Sequence, residues 1–121
     1  MTTCKCFEEL EIWQKAEILT LKVYQAMFHV KDYGFKDQIQ RASVSIMNNI
    51  AEGFERETDD DFARFLSYSK GSCGEVRSML QLAKGLSYID PNYAEQLKLE
   101  TIELSKQIKS LMKYLKQSNR R

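Results

Sequence analysis

The chain has little of the apparatus that catalysis or metal binding requires. It contains one histidine, His29, and three cysteines, Cys4, Cys6 and Cys73. A C-x-C pair alone falls short of the four N/S ligands of a structural zinc site. An odd number of cysteines favours free thiols over a disulfide framework. No E-x-x-H occurs, which removes the di-iron bundle signature. "KGSCGE" lacks the G-K-[ST] ending of a phosphate-binding loop. His29 stands alone near a helix end, with no partner to make it a general base. No catalytic residue, metal site or cofactor is therefore expected.

Other absences bound the class. There is a single proline, and no apolar run reaches membrane-spanning length. "MTTCKCFEELEIWQK" carries no signal-peptide-type apolar stretch, so a cytoplasmic protein without a membrane partner is expected. Net charge is only +1, so any attraction to nucleic acid must come from local clustering. What remains, 43% hydrophobic and 29% charged residues, is enough for one soluble core.

Apolar residues recur with helical period in four segments. Leu10, Trp13, Ala16, Leu19, Val23 and Met27 define the first, about 7–28, with Gly34 as the break after it. Ile39, Ile46, Ile50 and Phe54 define the second, about 36–54. Gly53 near its end suits backbone geometry closed to other residues. The third, about 59–88, opens on "TDDDF", with Thr58 or Asp59 as cap, and places Cys73 on its core face. Its Gly71 and Gly74 weaken an isolated helix, which the close approach of a neighbouring helix could offset; a kink is the alternative. The fourth, about 91–118, starts at Asp90-Pro91 and carries Leu97, Thr101, Leu104, Ile108, Leu111 and Leu115 in steps of four and three. With no repeat and no second domain, the expectation is one all-α domain over residues 1–121, an antiparallel up-down four-helix bundle.

Two faces invite a functional reading. On the second helix Gln38, Arg41, Ser45, Asn48, Asn49 and Glu52 share an arc of roughly 100°. This strip is poor in Lys and Glu and rich in amides and hydroxyls, which hydrogen-bond in both directions. A solvated face is the plain reading. The sharper one is a polar interface with another helix or subunit, which would have to supply the partner of Arg41 or Glu52 if either is buried. On the fourth helix Lys106, Lys109, Lys113, Lys116 and Arg120 lie within roughly 80°, and Arg121 adds a further charge. Solubility and the helix dipole explain such lysines, and phosphate tracking is the functional alternative. Base stacking on Tyr114 would assist it. Glu55, Glu57, Asp59, Asp60 and Asp61 form an acidic patch that would confine any nucleic acid to another end or face.

"DQIQRASVSIMNNIAEGFER" resembles the signature of the four-helix-bundle family named for 23S rRNA intervening-sequence proteins, approximately Q-I-R-R-A-x-x-S-I-x-x-N-I-A-E-G. "FEELEIWQKA" is similar to that family's opening helix, and "FARFLSYSKGSCGEVRSMLQLAKGLSYI" to its third. The sequence departs from the pattern at Gln40, Met47 and Val30. The resemblance implies a homo-oligomer, a pentameric ring. It also implies a relation to accessory proteins of diversity-generating retroelements, which share the bundle and bind nucleic acid and a reverse transcriptase. The expected function is thus a non-enzymatic, self-assembling binding module for RNA or a nucleic-acid-associated protein. The alternative is a protein-interaction scaffold with no nucleic-acid affinity.

Overall fold

The computed structural model describes residues 4–118. A 3-10 turn at Phe7–Glu9 precedes four helices: α1 (Glu11–Ala26), α2 (Tyr33–Phe54), α3 (Asp59–Gly85) and α4 (Pro91–Ser118). The described residues form no strand. One core joins all four helices, with Ala16, Leu19 and Val23 from α1 and Ile39, Ile46 and Ile50 from α2. Leu66, Val76 and Leu80 from α3 meet Leu97, Leu104 and Ile108 from α4. Each set recurs at three- and four-residue steps, so one stripe of each helix is removed from water.

The helix ends follow local chemistry. Leu10 is extended and separates the 3-10 turn from α1, so the first segment is not one continuous helix from residue 7. Gly34 is not a break. Asp32 caps α2 by accepting the Phe35 N–H on Oδ1, and Gly34 lies inside the first turn. The Asp32 Oδ2 accepts the Tyr88 hydroxyl at 2.8 Å, and the Phe35 and Tyr88 rings meet edge to face at 5.3 Å. The hydrogen bond to Asp32 pushes the Tyr88 phenol above its ordinary pKa, because the carboxylate stabilises the protonated phenol. Thr58 caps α3 through the Asp61 N–H. Asp90 caps α4 through the Tyr93 N–H.

The third helix stops at Gly85 rather than near residue 88. Tyr88 N–H bonds to the Ala83 carbonyl and Ser87 N–H to the Lys84 carbonyl, the pair of bonds of a Schellman ending. Ser87 takes the left-handed position with φ 61°, where glycine is the usual occupant.

Residue numbers rise along α2 as they fall along α3. Ile46 meets Ser69, and Gly53 meets Phe62 and Phe65. Between α3 and α4 the same opposed register joins Lys84 to Glu95 and Gln81 to Lys98. Gly53 has ordinary negative φ, so its role is not special backbone geometry. A Cβ there would lie 2.8 Å from Phe62 Cδ1 and 2.9 Å from Phe65 Cβ. The missing side chain lets the two backbones close. At Gly71 and Gly74 nothing lies within 4 Å of a Cβ position, so no neighbouring helix of the protomer offsets their cost of roughly 1 kcal/mol each.

The α1–α4 seam is looser. It leaves a groove of about 200 Å³ lined by Lys15, Ile18, Leu19, Glu100, Glu103 and Leu104. Lys22 and Glu100 bridge it at 3.0 Å.

Three outcomes follow from these contacts. Gly53→Ala should destabilise the fold by about 1–3 kcal/mol in urea unfolding, since overpacking outweighs the helix-propensity gain. Ser87→Gly should stabilise it by about 1 kcal/mol by relieving the left-handed conformation. The Cys73 thiol is buried, and burial pushes its pKa up to about 12. Iodoacetamide at mildly alkaline pH should therefore leave Cys73 unmodified in the native protein and alkylate it in denaturant, as read by peptide mass spectrometry.

Candidate functional site

The polar strip of α2 divides into two parts. Ser45 and Asn49 are half-buried, and Ser45 meets α3. The Asn49 amide donates to the Ser45 carbonyl at 2.9 Å and to its hydroxyl at 3.0 Å. The Ser45 hydroxyl lies 2.9 Å from that of Ser72 on α3. Two turns earlier on α2 the Gln38 amide donates to Glu75. Below this layer, the Ser69 hydroxyl donates to the Ile46 carbonyl at 2.7 Å. Amides and hydroxyls suit this seam because each can donate and accept. The surface that meets this part of the strip is therefore the chain's own third helix.

The rest of the strip faces solvent. Arg41 is 79% exposed in its side chain and pairs with Asp37 at 2.8 Å on the same helix. A partner from another helix or chain is required only of a buried charge, and Arg41 is not buried; its carboxylate lies one turn earlier. Asn48 and Glu52 are exposed. Glu52 borders a shallow hollow with Phe7, Ala51, Glu55 and Arg56.

On α4, Lys106, Lys109, Lys113 and Lys116 are all exposed, on the face opposite Leu104, Ile108 and Leu115. None of the four makes a salt bridge among the described residues. Lysines nearer the start of α4 behave differently. Lys98, together with Lys84, engages Glu95 and holds its carboxyl below the usual range, mainly through those hydrogen bonds. Arg120 and Arg121 lie outside the described residues. Tyr114 does not stand free for stacking; it is half-buried against the core.

Reading each helix alone missed two features. Lys70 and Arg77 are seven residues apart on α3, on the flank from which Gln81 and Lys84 reach α4. They widen the positive face that α4 begins. The signal was their spacing, but only the helix pairing shows that the two rows share a side. The second feature is apolar. Ile18, Leu21, Tyr24 and Phe28 of the first segment are 50%, 55%, 42% and 81% exposed. They recur at three- and four-residue steps, behind the better-matched core row of the same helix.

The acidic patch is weaker than its composition implies. Asp59 is buried, and Asp61 pairs with Arg64 at 3.1 Å. Arg56 lies over the Phe65 ring at 4.5 Å. Among the described residues no group of three His, Cys, Asp or Glu could hold a metal ion, and no helix is long and apolar enough to cross a membrane.

Comparison with known proteins agrees with this architecture. A crystal structure of a protein of unknown function from the S23 ribosomal protein family of Bacteroides thetaiotaomicron VPI-5482 superposes with a TM-score of 0.78 at 23% identity. The match covers 84% of this chain and 98% of that one, and at such identity it speaks for the fold alone. No curated protein matches the sequence. The model of the 23S rRNA-intervening sequence protein family matches residues 8–110, which take in all of α1, α2 and α3 and most of α4. The chain belongs to the 23S rRNA-intervening sequence protein family.

Proposed function

We propose that this protein is a non-enzymatic, self-assembling binding module of the cytoplasm, an up-down four-helix bundle in a pentameric ring that holds structured RNA or a ribonucleoprotein. The opposed registers of α2 with α3 and of α3 with α4 support the up-down path. The observation that carries the ligand assignment is the lysine face of α4. Four successive cations there have no acidic partner, whereas Lys15, Lys22, Lys84 and Lys98 are each paired with a carboxylate. Unpaired lysines at this spacing release counterions on meeting phosphates, and that release drives association. The family's name, which refers to 23S rRNA intervening sequences, supports RNA as the polyanion. Absence of catalysis is part of the proposal, because acyl transfer, proton abstraction and phosphoryl transfer all need groups that converge.

A protein-interaction scaffold is the second reading, favoured by the exposed apolar row of α1. Fluorescence polarisation with an RNA hairpin across a potassium chloride series separates the two. Affinity should fall with a log–log slope of about −4 per protomer, and Lys113→Glu with Lys116→Glu should weaken binding at least tenfold. No affinity at low salt would leave the scaffold. Light scattering should give about 71 kDa for five copies of the 14.2 kDa chain.

A further inference from the structure

We infer that the outward face of α1 is a docking ridge that seats on the outward face of α3 of a second copy of this chain. The inference rests on the self-assembly reading and names the surfaces that would carry it.

The ridge is defined by spacing. Gln14, Ile18, Leu21, Gln25 and Phe28 step by four, three, four and three, the seam period of packed helices. They lie roughly opposite Ala16, Leu19 and Val23, which fill the core. Ile18 and Leu21 thus give α1 an outward apolar patch, which Phe28 extends just past the helix end, and the patch stays exposed in the protomer. Isolated exposed leucines are ordinary, but apolar side chains recurring at seam period on an outward face suit a helix that meets a partner.

The receiving face lies on the same chain. Ser67, Gly71, Gly74 and Ser78 of α3 step by four, three and four and point away from Cys73, Val76 and Leu80. Gly71 and Gly74 are exposed, with open space where side chains would begin. Their cost in a lone helix has no return inside the protomer. A ridge of Ile18, Leu21 and Phe28 entering that hollow would supply one.

Charge agrees with this pairing. Glu17 flanks Leu21, is exposed and makes no ion pair among the described residues. Lys70 and Arg77 flank the glycines and are also without ion pairs there. On the other flank of the ridge, Lys15 and Lys22 are already matched by Glu11 and Glu100. Glu75, on the far flank of the glycines, accepts the Gln38 amide and has no ion pair among the described residues, so the charge left over is net positive on the α3 face and negative on the ridge.

Topology decides the kind of contact. α1 and α3 each pack on α2 and α4, and their backbones do not approach each other closely. Ridge and hollow thus sit on opposite corners of one protomer. A contact between them is head-to-tail, leaves one free face at each end, and closes into a ring when the rotation permits.

Light scattering on three forms tests this. The unmodified chain should give a multiple of 14.2 kDa at micromolar concentration. Ile18→Glu with Leu21→Glu should be monomeric, and so should Gly71→Leu with Gly74→Leu. All four positions are exposed in the protomer, so circular dichroism should show retained helix. Each variant keeps one intact face, so mixing the two should give a species of two chains, about 28 kDa, and nothing larger. A monomeric unmodified chain would overturn this inference together with the assembly reading. An unmodified oligomer whose variants keep its mass would overturn only the assignment of surfaces, and two monomers that ignore each other would overturn the head-to-tail pairing. If a ridge or hollow variant loses its helix, a charge swap decides instead. Glu17→Lys and Arg77→Glu should each weaken assembly severalfold and restore it when combined in one chain, and no effect of either would count against the pairing.

Discussion

The structure depends on how closely the backbone of α2 is gripped by its two neighbours. From α1, the Thr20 hydroxyl lies 2.8 Å from the Ala16 carbonyl and 3.1 Å from that of Ser43, so its proton is shared between its own helix and α2. From α3, Ser69 donates to the Ile46 carbonyl. The two attachments fall within one turn of α2, on buried groups that would otherwise compete poorly with water. Further along, Gly53 removes the last obstacle between α2 and the phenyl rings of α3. Short polar side chains and a missing one set the spacing here, and the large aliphatic residues fill what that spacing leaves. The bonds of Ser45 to Ser72 and of Gln38 to Glu75 continue the same interaction to the surface.

Much of this was legible before any coordinates, because a buried stripe repeats with the period of its helix. Leu97 to Leu115 on the last helix and Ile39 to Ile50 on the second are core positions, as their spacing implies. Helix ends were harder, since they turn on single side chains. Gly34 looked like a stop, but Asp32 two residues earlier supplies the cap, and a glycine in a first turn is tolerated. The left-handed residue that ends α3 is a serine, while the glycine a sequence reader would choose lies two positions upstream. The polar edge of α2 was legible as a group, and its cover was not. A helical wheel gives direction but not the identity of the neighbour. The same blindness hid the outer row of α1, because one helix with two apolar rows reads as one with a broad core face until burial is known.

Charge on this molecule is sorted rather than merely balanced. Near the start of α3, Asp61 is paired, Asp59 is buried and Arg56 rests on an aromatic ring. Between α3 and α4, Lys84 and Lys98 share Glu95. The remaining cations of α4 and the outer flank of α3 have no such arrangement. A net charge near zero therefore hides a field with direction, and direction governs how a polyanion would approach.

Asp32 joins two tasks that most proteins assign to separate residues. One oxygen starts α2, and the other holds Tyr88, fifty-six positions away in the connection between α3 and α4. The first turn of one helix and the link between two others thus share a single latch. Fraying of either segment breaks the latch, so opening at one place favours opening at the other despite their distance along the chain.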